Sequence, residues 1–250
     1  MTPLATVNSE YIKLTSTRSP YWCVAIVVVL SIGISTLIGA VLASTPDTGL
    51  GISDYLLGLN QFGVVVLMIM AVLGATSEYR FGTIRATFIA TPRRARVLIA
   101  KAVVFGGLAV VLSAVLAVIS LGAVKALAGS SSKFSFGDAD ALRQLWGTPI
   151  WALLCVIVGL GVGALVRHTA GAVVIILVWM LVAESILAVL PKVGSAIGPF
   201  LPFRNGSRFL SSTASSPDYH WNSYVSLGYF ALFAVLVFVA AIVVVERRDA

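Results

Sequence analysis

The stretch SEYRFGTIRATFIATPRRARVLIAK, residues 77–101, is a basic island between two apolar segments, with five arginines and one lysine set against one glutamate. Apolar runs on both sides mark it as a loop between two membrane crossings, and its charge indicates the side of the bilayer it occupies. The rest of the chain fits that setting. Of 250 residues, 59% are hydrophobic and 11% charged, with a mean hydropathy of +1.01. That leaves too little polar surface for a monomer dissolved in water. A formal charge of +7 would suggest nucleic acid in a soluble chain. Here the bases sit at the ends of apolar runs, where they snorkel toward anionic headgroups, so membrane lipid is the expected partner and nucleic acid is not. Cys23 and Cys155 lie inside apolar runs without metal-ligand neighbours and read as small core hydrophobes.

A crossing helix takes roughly 20 apolar residues. Six segments meet or approach that length, at about 22–43, 55–76, 97–124, 149–166, 170–190 and 222–245. Val41-Leu42-Ala43 resembles a signal-peptidase site, but the apolar run before it is too long for a signal sequence, so the first segment is read as an uncleaved crossing. The loops are short, and residues 1–250 are expected to form one all-α integral membrane domain with six transmembrane helices. Placing the N-terminus, the second and fourth loops and the C-terminus on one side collects Lys13, Arg18, Arg80, Arg85, Arg93, Arg94, Arg96, Lys101, Arg167, Arg247 and Arg248. These are eleven of the 17 basic residues. Lys125, Lys133, Arg143, Lys192, Arg204 and Arg208 fall on the other side, over longer loops. The imbalance puts both termini in the cytoplasm. Tyr21, Trp22, Trp146, Trp151, Trp221 and Tyr224 lie near expected helix ends, as interfacial anchors do.

Ahead of the first crossing, Leu4, Val7, Tyr11 and Leu14 follow one another at helical spacing, with Glu10, Lys13 and Thr17 off their stripe. Residues 1–20 are therefore expected to form an amphipathic helix resting in the interface, broken from the first crossing by Pro20. Such a helix would serve as a lever on the bundle; the plain alternative is a frayed tail. In the basic loop, Ser77 is expected to cap a short helix carrying Tyr79, Ile84, Phe88 and Ile89, ended by Thr91-Pro92. A loop that only sets topology needs bases, but not Phe81, Ile84, Phe88 and Ile89 among them. These apolar side chains favour a protein groove over the headgroup layer.

The most unusual polar groups within apolar segments are Asn60 and Gln61 in the second and Glu184 in the fifth, at matching depth. A carboxylate at the bilayer centre costs about 2.5–3.5 kcal/mol, less near the interface, so it should face protein or water. The three are candidates to line a cavity, with structural hydrogen bonding between packed helices as the alternative. Gly159, Gly161 and Gly163 read as a packing face. His168 and His220 lack the spacing of a metal or catalytic set. The outer segment 191–220 is long for a structureless connection and reads as short re-entrant or interfacial helices.

EYRFGTIRATFIATPRRARVLIAK resembles the loop between the second and third crossings of ABC-2 type permeases, the membrane subunits of ATP-binding-cassette exporters. In that family a glutamate, a Gly-Thr pair, a proline and paired arginines recur in this order. The likeness extends over nearly the whole chain, with an interfacial helix, six crossings, and LPFRNGSRFL (residues 201–210) in the outer loop. It implies the ABC-2 type (type V) exporter fold and a half-transporter that pairs with a second permease, a copy or a paralogue, above two ATPase subunits. It also implies that residues 77–96 form a cytoplasmic coupling loop. Within it, Glu78, Tyr79, Arg80, Phe81, Gly82, Thr83, Ile84, Arg85, Phe88, Pro92, Arg93 and Arg94 would engage the ATPase, while Asn60, Gln61 and Glu184 would line the substrate cavity. The chain contains no G-x-x-x-x-G-K-[ST] phosphate loop. ATP and magnesium would therefore bind in the partner ATPase, with no catalytic residue, metal or cofactor in this chain. The expected function is export of an amphiphilic drug, peptide or lipid through a bacterial plasma membrane. A proton-coupled secondary transporter and a non-transporting sensor or scaffold are the alternatives.

Overall fold

The computed structural model describes residues 3–45, 48–84, 94–132, 134–190, 193–211 and 219–247, and the described residues contain helices and no strand. Helix α1 (Pro3–Ser16) precedes α2 (Arg18–Ser44), α3 (Gly58–Arg80), α4 (Arg94–Ser132), α5 (Ala139–Val166) and α6 (Thr169–Val189). A short α7 (Pro202–Leu210) and a long α8 (Ser223–Arg247) complete the chain. Helices α2 to α6 and α8, six in all, are long and apolar enough to cross a membrane.

Helix α5 is the axis of the bundle, packing against α3, α4, α6, α7 and α8. Its most apolar window is 67% buried, against 17% for α6, so α6 presents most of its hydrophobic surface outward. Close approach to α5 depends on the absence of side chains at two glycines. A Cβ on Gly159 would lie 2.9 Å from the Met68 carbonyl oxygen, and one on Gly163 the same distance from the Ala75 Cβ. Gly161 faces Val237 on α8. The glycine run is thus a packing face with two sides.

The structure corrects several sequence expectations. Helix α5 begins at Ala139 rather than near residue 149 and continues through Pro149, which removes one backbone donor without ending the helix. Trp151 consequently lies well inside α5, 1% exposed and packed on Phe203 and Phe230, and is not an interfacial anchor. Tyr21, Trp22, Trp146 and Tyr224 remain exposed, and Trp221 is half-buried. Helix α1 breaks from α2 at Thr17 instead of Pro20, which sits in the first turn of α2, where a missing N–H matters least. Within α1 the inward face is Thr6, Glu10 and Leu14, whereas Leu4 and Tyr11 are exposed, so Leu14 leaves the expected stripe.

Between α6 and α8, residues Val193–Ile197 and Gly198–Phe200 form short helical turns leading into α7. This segment folds back onto the bundle instead of crossing it. Arg208 donates to the Trp221 carbonyl and the Ser226 hydroxyl, each at 2.8 Å, and the Asn205 amide donates to the carbonyls of Pro199 and Leu201. The Arg208 bonds hold α7 against the start of α8, and the Asn205 bonds fix the turn that leads into α7.

Candidate functional site

Two polar centres lie at opposite ends of the bundle, joined by α3. At the end near α7, a cavity of about 470 Å³ is lined by Asn60, Gln61, Glu184, Ser185, Arg204 and Ser207, with Trp151 and Met180 among its walls. Its size falls in the usual range of small-molecule sites. The structure thus brings Asn60, Gln61 and Glu184 around one space, although they do not bond to one another.

Each helix that supplies these residues is interrupted where it meets the cavity. Helix α3 opens with a π segment, Gly58–Gly63, and α6 carries a second, Val178–Ala183, directly before Glu184. A π turn absorbs an extra residue and re-aims the side chains that follow, and such turns occur disproportionately at functional sites. The first of them lies hard against α2, since a Cβ on Gly58 would sit 2.4 Å from the Leu30 carbonyl oxygen.

Glu184 has a defined structural partner. Its carboxylate accepts from the backbone N–H groups of Phe203 at 3.0 Å and Arg204 at 2.7 Å, and from the Trp179 indole at 3.0 Å. The two N–H groups belong to the first turn of α7, whose N-cap residue, Leu201, has no capping side chain. A carboxylate some 20 residues distant in sequence therefore caps α7 and meets the positive end of its dipole. Asn60 donates to Gln144 at 3.3 Å, and Gln144 in turn donates to the Leu210 carbonyl. The Asn60 Oδ1 is buried with no hydrogen-bond partner among the described residues.

At the other end, four charged side chains form a closed ion group that the sequence reading did not assemble. Lys101 of α4 donates to Glu10 at 2.6 Å and to Glu78 at 2.8 Å; Lys13 donates to Glu10 at 2.6 Å and to Glu78 at 2.9 Å. Two carboxylates and two ammonium groups alternate, so the group is neutral and ties α1 to α3 and α4. Glu10 is 2% exposed and Lys101 and Glu78 are each 5% exposed, whereas the Lys13 side chain is 43% exposed. Burial draws the Lys13 amine down, but the bonds and charges of Glu10 and Glu78 outweigh it and raise it above its ordinary 10.5. The only local clue was the Glu10–Lys13 spacing of three; the other three pairs lie 23, 65 and 91 residues apart in sequence.

The described residues among those expected to couple to a partner fall into three sets. Glu78 is turned inward to the ion group, and Tyr79 is half-buried with the Arg167 guanidinium 5.1 Å from its ring. Ser77 is not a helix cap: its hydroxyl donates to the Gly74 carbonyl, and α3 runs on to Arg80. Arg80, Phe81, Gly82 and Thr83 form an exposed turn, with Phe81 70% exposed, the Arg80 guanidinium 5.4 Å from its ring, and Gly82 at φ +69°. Ile84 and Arg94 border the same small recess beside Glu78, and Arg94 donates to the Val245 carbonyl at 3.4 Å. Arg85, Phe88, Pro92 and Arg93 lie outside the described residues.

His168 caps α6 by accepting from the Gly171 N–H, and Cys23 and Cys155 are buried free thiols. Among the described residues no three His, Cys, Asp or Glu side chains cluster closely enough to hold a metal ion. No curated protein matches the chain. Residues 22–250 match the model of a family described as protein of unknown function, and the chain belongs to that family, DUF2705.

Proposed function

We propose that this chain is the permease subunit of an ATP-driven exporter of the ABC-2 type, working with a second permease above two ATPase subunits. The observation that carries the proposal is the course of α3. The helix, Gly58–Arg80, runs without a loop from the cavity-lining Asn60 and Gln61 to the exposed Arg80–Thr83 turn, with roughly 30 Å between Asn60 and Arg80 at 1.5 Å per residue. A force applied at the turn is thereby delivered to the wall of the cavity. The ion group adds α1 and α4 to the same rigid body, so an interfacial α1 would move with α3 as a lever. With both termini and the 77–96 loop in the cytoplasm, nucleotide-driven closure of the ATPase pair would press on that turn and tilt α3 against α6. The cavity between them would then open outward. The mostly apolar bundle with a few hydroxyl, amide and carboxylate groups at its cavity suits an amphiphilic cargo.

The proton-carrier alternative draws less support. All three bonds to Glu184 anchor it to α7 and Trp179, which makes it a fixture of the fold rather than a mobile carrier. Purification of the chain from its native membrane tests the proposal. An ATP-binding chain should co-purify, two copies for each pair of permeases, with ATPase activity that the permease alters. Recovery of an intact assembly without any ATP-binding chain would refute it.

A further inference from the structure

A second cavity, of about 710 Å³, opens beside the ion group at the end of the bundle that carries α1. Its composition changes with depth. The rim carries Arg18 and Arg80, both exposed, while the floor is made of Leu73, Met70 and Phe105. The ion group lies in one wall and is internally neutral, so it contributes no net charge. No carboxylate pairs with Arg18 or Arg80 among the described residues. The first residue of the 27-residue helix α2 is Arg18 itself, and its N-cap, Thr17, makes no side-chain cap bond, so the positive end of the helix dipole adds to the rim.

The depth of the floor selects the occupant. Met70 lies ten residues before Arg80 on α3, roughly 15 Å along the axis. The apolar floor therefore reaches the level of the hydrocarbon, where an acyl chain can follow and a soluble protein cannot. We propose that this cavity holds an anionic phospholipid, its phosphate between Arg18, Arg80 and the start of α2 and one acyl chain running over Leu73, Met70 and Phe105. Basic pockets between crossing helices recognise lipid headgroups by this combination of charge and apolar surface. The inference requires that the chain sits in a bilayer and not that it exports anything.

Thermal unfolding of the full chain in a neutral detergent, titrated with phosphatidylglycerol, phosphatidylcholine or inorganic phosphate, tests it. Phosphatidylglycerol should raise the midpoint at lower concentration than phosphatidylcholine, and inorganic phosphate should have little effect. Arg18→Gln with Arg80→Gln should weaken the apparent affinity for phosphatidylglycerol about thirtyfold, and Arg18→Gln alone about fivefold. Arg18→Lys with Arg80→Lys should recover most of it, and Arg143→Gln, which removes a charge at the far end, should leave it unchanged. Equal effects of the two lipids, a full effect of inorganic phosphate, or wild-type affinity in the glutamine variants would overturn the proposal. Should the double glutamine variant fail to fold, the single and lysine variants decide in the same way.

Discussion

Replacing Lys101 with methionine removes one ammonium from the ion group and keeps most of the side-chain volume, leaving Glu10 and Glu78 in a site where they are 2% and 5% exposed. Lys13 remains, but its side chain is 43% exposed, and a pair screened to that degree contributes about 1 kcal/mol or less. Breaking a buried pair from one side typically costs about 3–5 kcal/mol. The chain has a cheaper response than global unfolding, because α1 carries Glu10 and can lift it into water. The expected result is therefore local: amide exchange in residues 3–16 should accelerate about 10²–10³-fold, as an opening penalty reduced by about 3–4 kcal/mol implies. Exchange in α5 should be nearly unchanged. Lys13→Ala should accelerate α1 exchange no more than about fivefold, for the screening reason given. In Lys101→Met with Glu10→Gln, the two effects should be clearly less than additive, since both act on one network. Wild-type protection of α1 in Lys101→Met, or strict additivity in the double variant, would show that the four side chains do not act as a unit.

Further outcomes follow from the same geometry. Because the Lys13 amine is raised in the fold, its contribution is fully present below the unfolded value of 10.5 and is lost only as pH rises through the higher folded value. Exchange-corrected protection of α1 should accordingly be flat from about pH 6 to 9 in this respect, and loss of docking in that window with Lys13 intact would contradict the assignment. Glu184→Gln keeps the side chain's shape but places an amide against N–H donors; it should loosen residues 202–210 by about 1–2 kcal/mol, read by amide exchange. Gly159→Ala should destabilise the bundle by about 1–3 kcal/mol in detergent unfolding, since its Cβ meets the Met68 backbone. Gly122→Ala, with nothing within 4 Å of its Cβ, should be neutral or stabilising by up to about 1 kcal/mol. On the proposed function rather than on geometry, charge reversal at Arg85 or Arg93 should weaken assembly with an ATPase partner in a pull-down, and unchanged assembly would favour headgroup binding.

Apolar run length was sufficient to find all six long helices, because the cost of exposing backbone polar groups to lipid forces each such run into one continuous helix. It was a poor guide to where α5 begins, since residues Ala139–Thr148 are too polar to register as a crossing yet form helix readily. That one boundary also misplaced Trp151, which reads as an anchor only if the helix starts near it. The depth match of Asn60, Gln61 and Glu184 did indicate a shared space, because two crossing helices carry their residues to fixed levels. What Glu184 bonds to was not legible: its partners are backbone N–H groups of α7, and any sequence supplies those. The ion group was hidden for a related reason. Glu78 reads as a loop charge and Lys101 as a base at the end of the third crossing, and nothing local reports that α1 folds over them with Glu10 pointing inward.

The proposed mechanism rests on the turn after α3 facing the cytosol and meeting an energy-supplying subunit. Thiol labelling of the Phe81→Cys variant tests this placement, because Phe81 is 70% exposed and the native thiols, Cys23 and Cys155, are buried at 9% and 0% exposure. In intact cells the introduced thiol should resist a membrane-impermeant maleimide, react once the membrane is opened, and cross-link to an ATP-binding chain in the assembled complex. Labelling from outside intact cells, or a complete assembly in which the introduced thiol stays free and reactive, would show that the turn does not couple this chain to an ATPase.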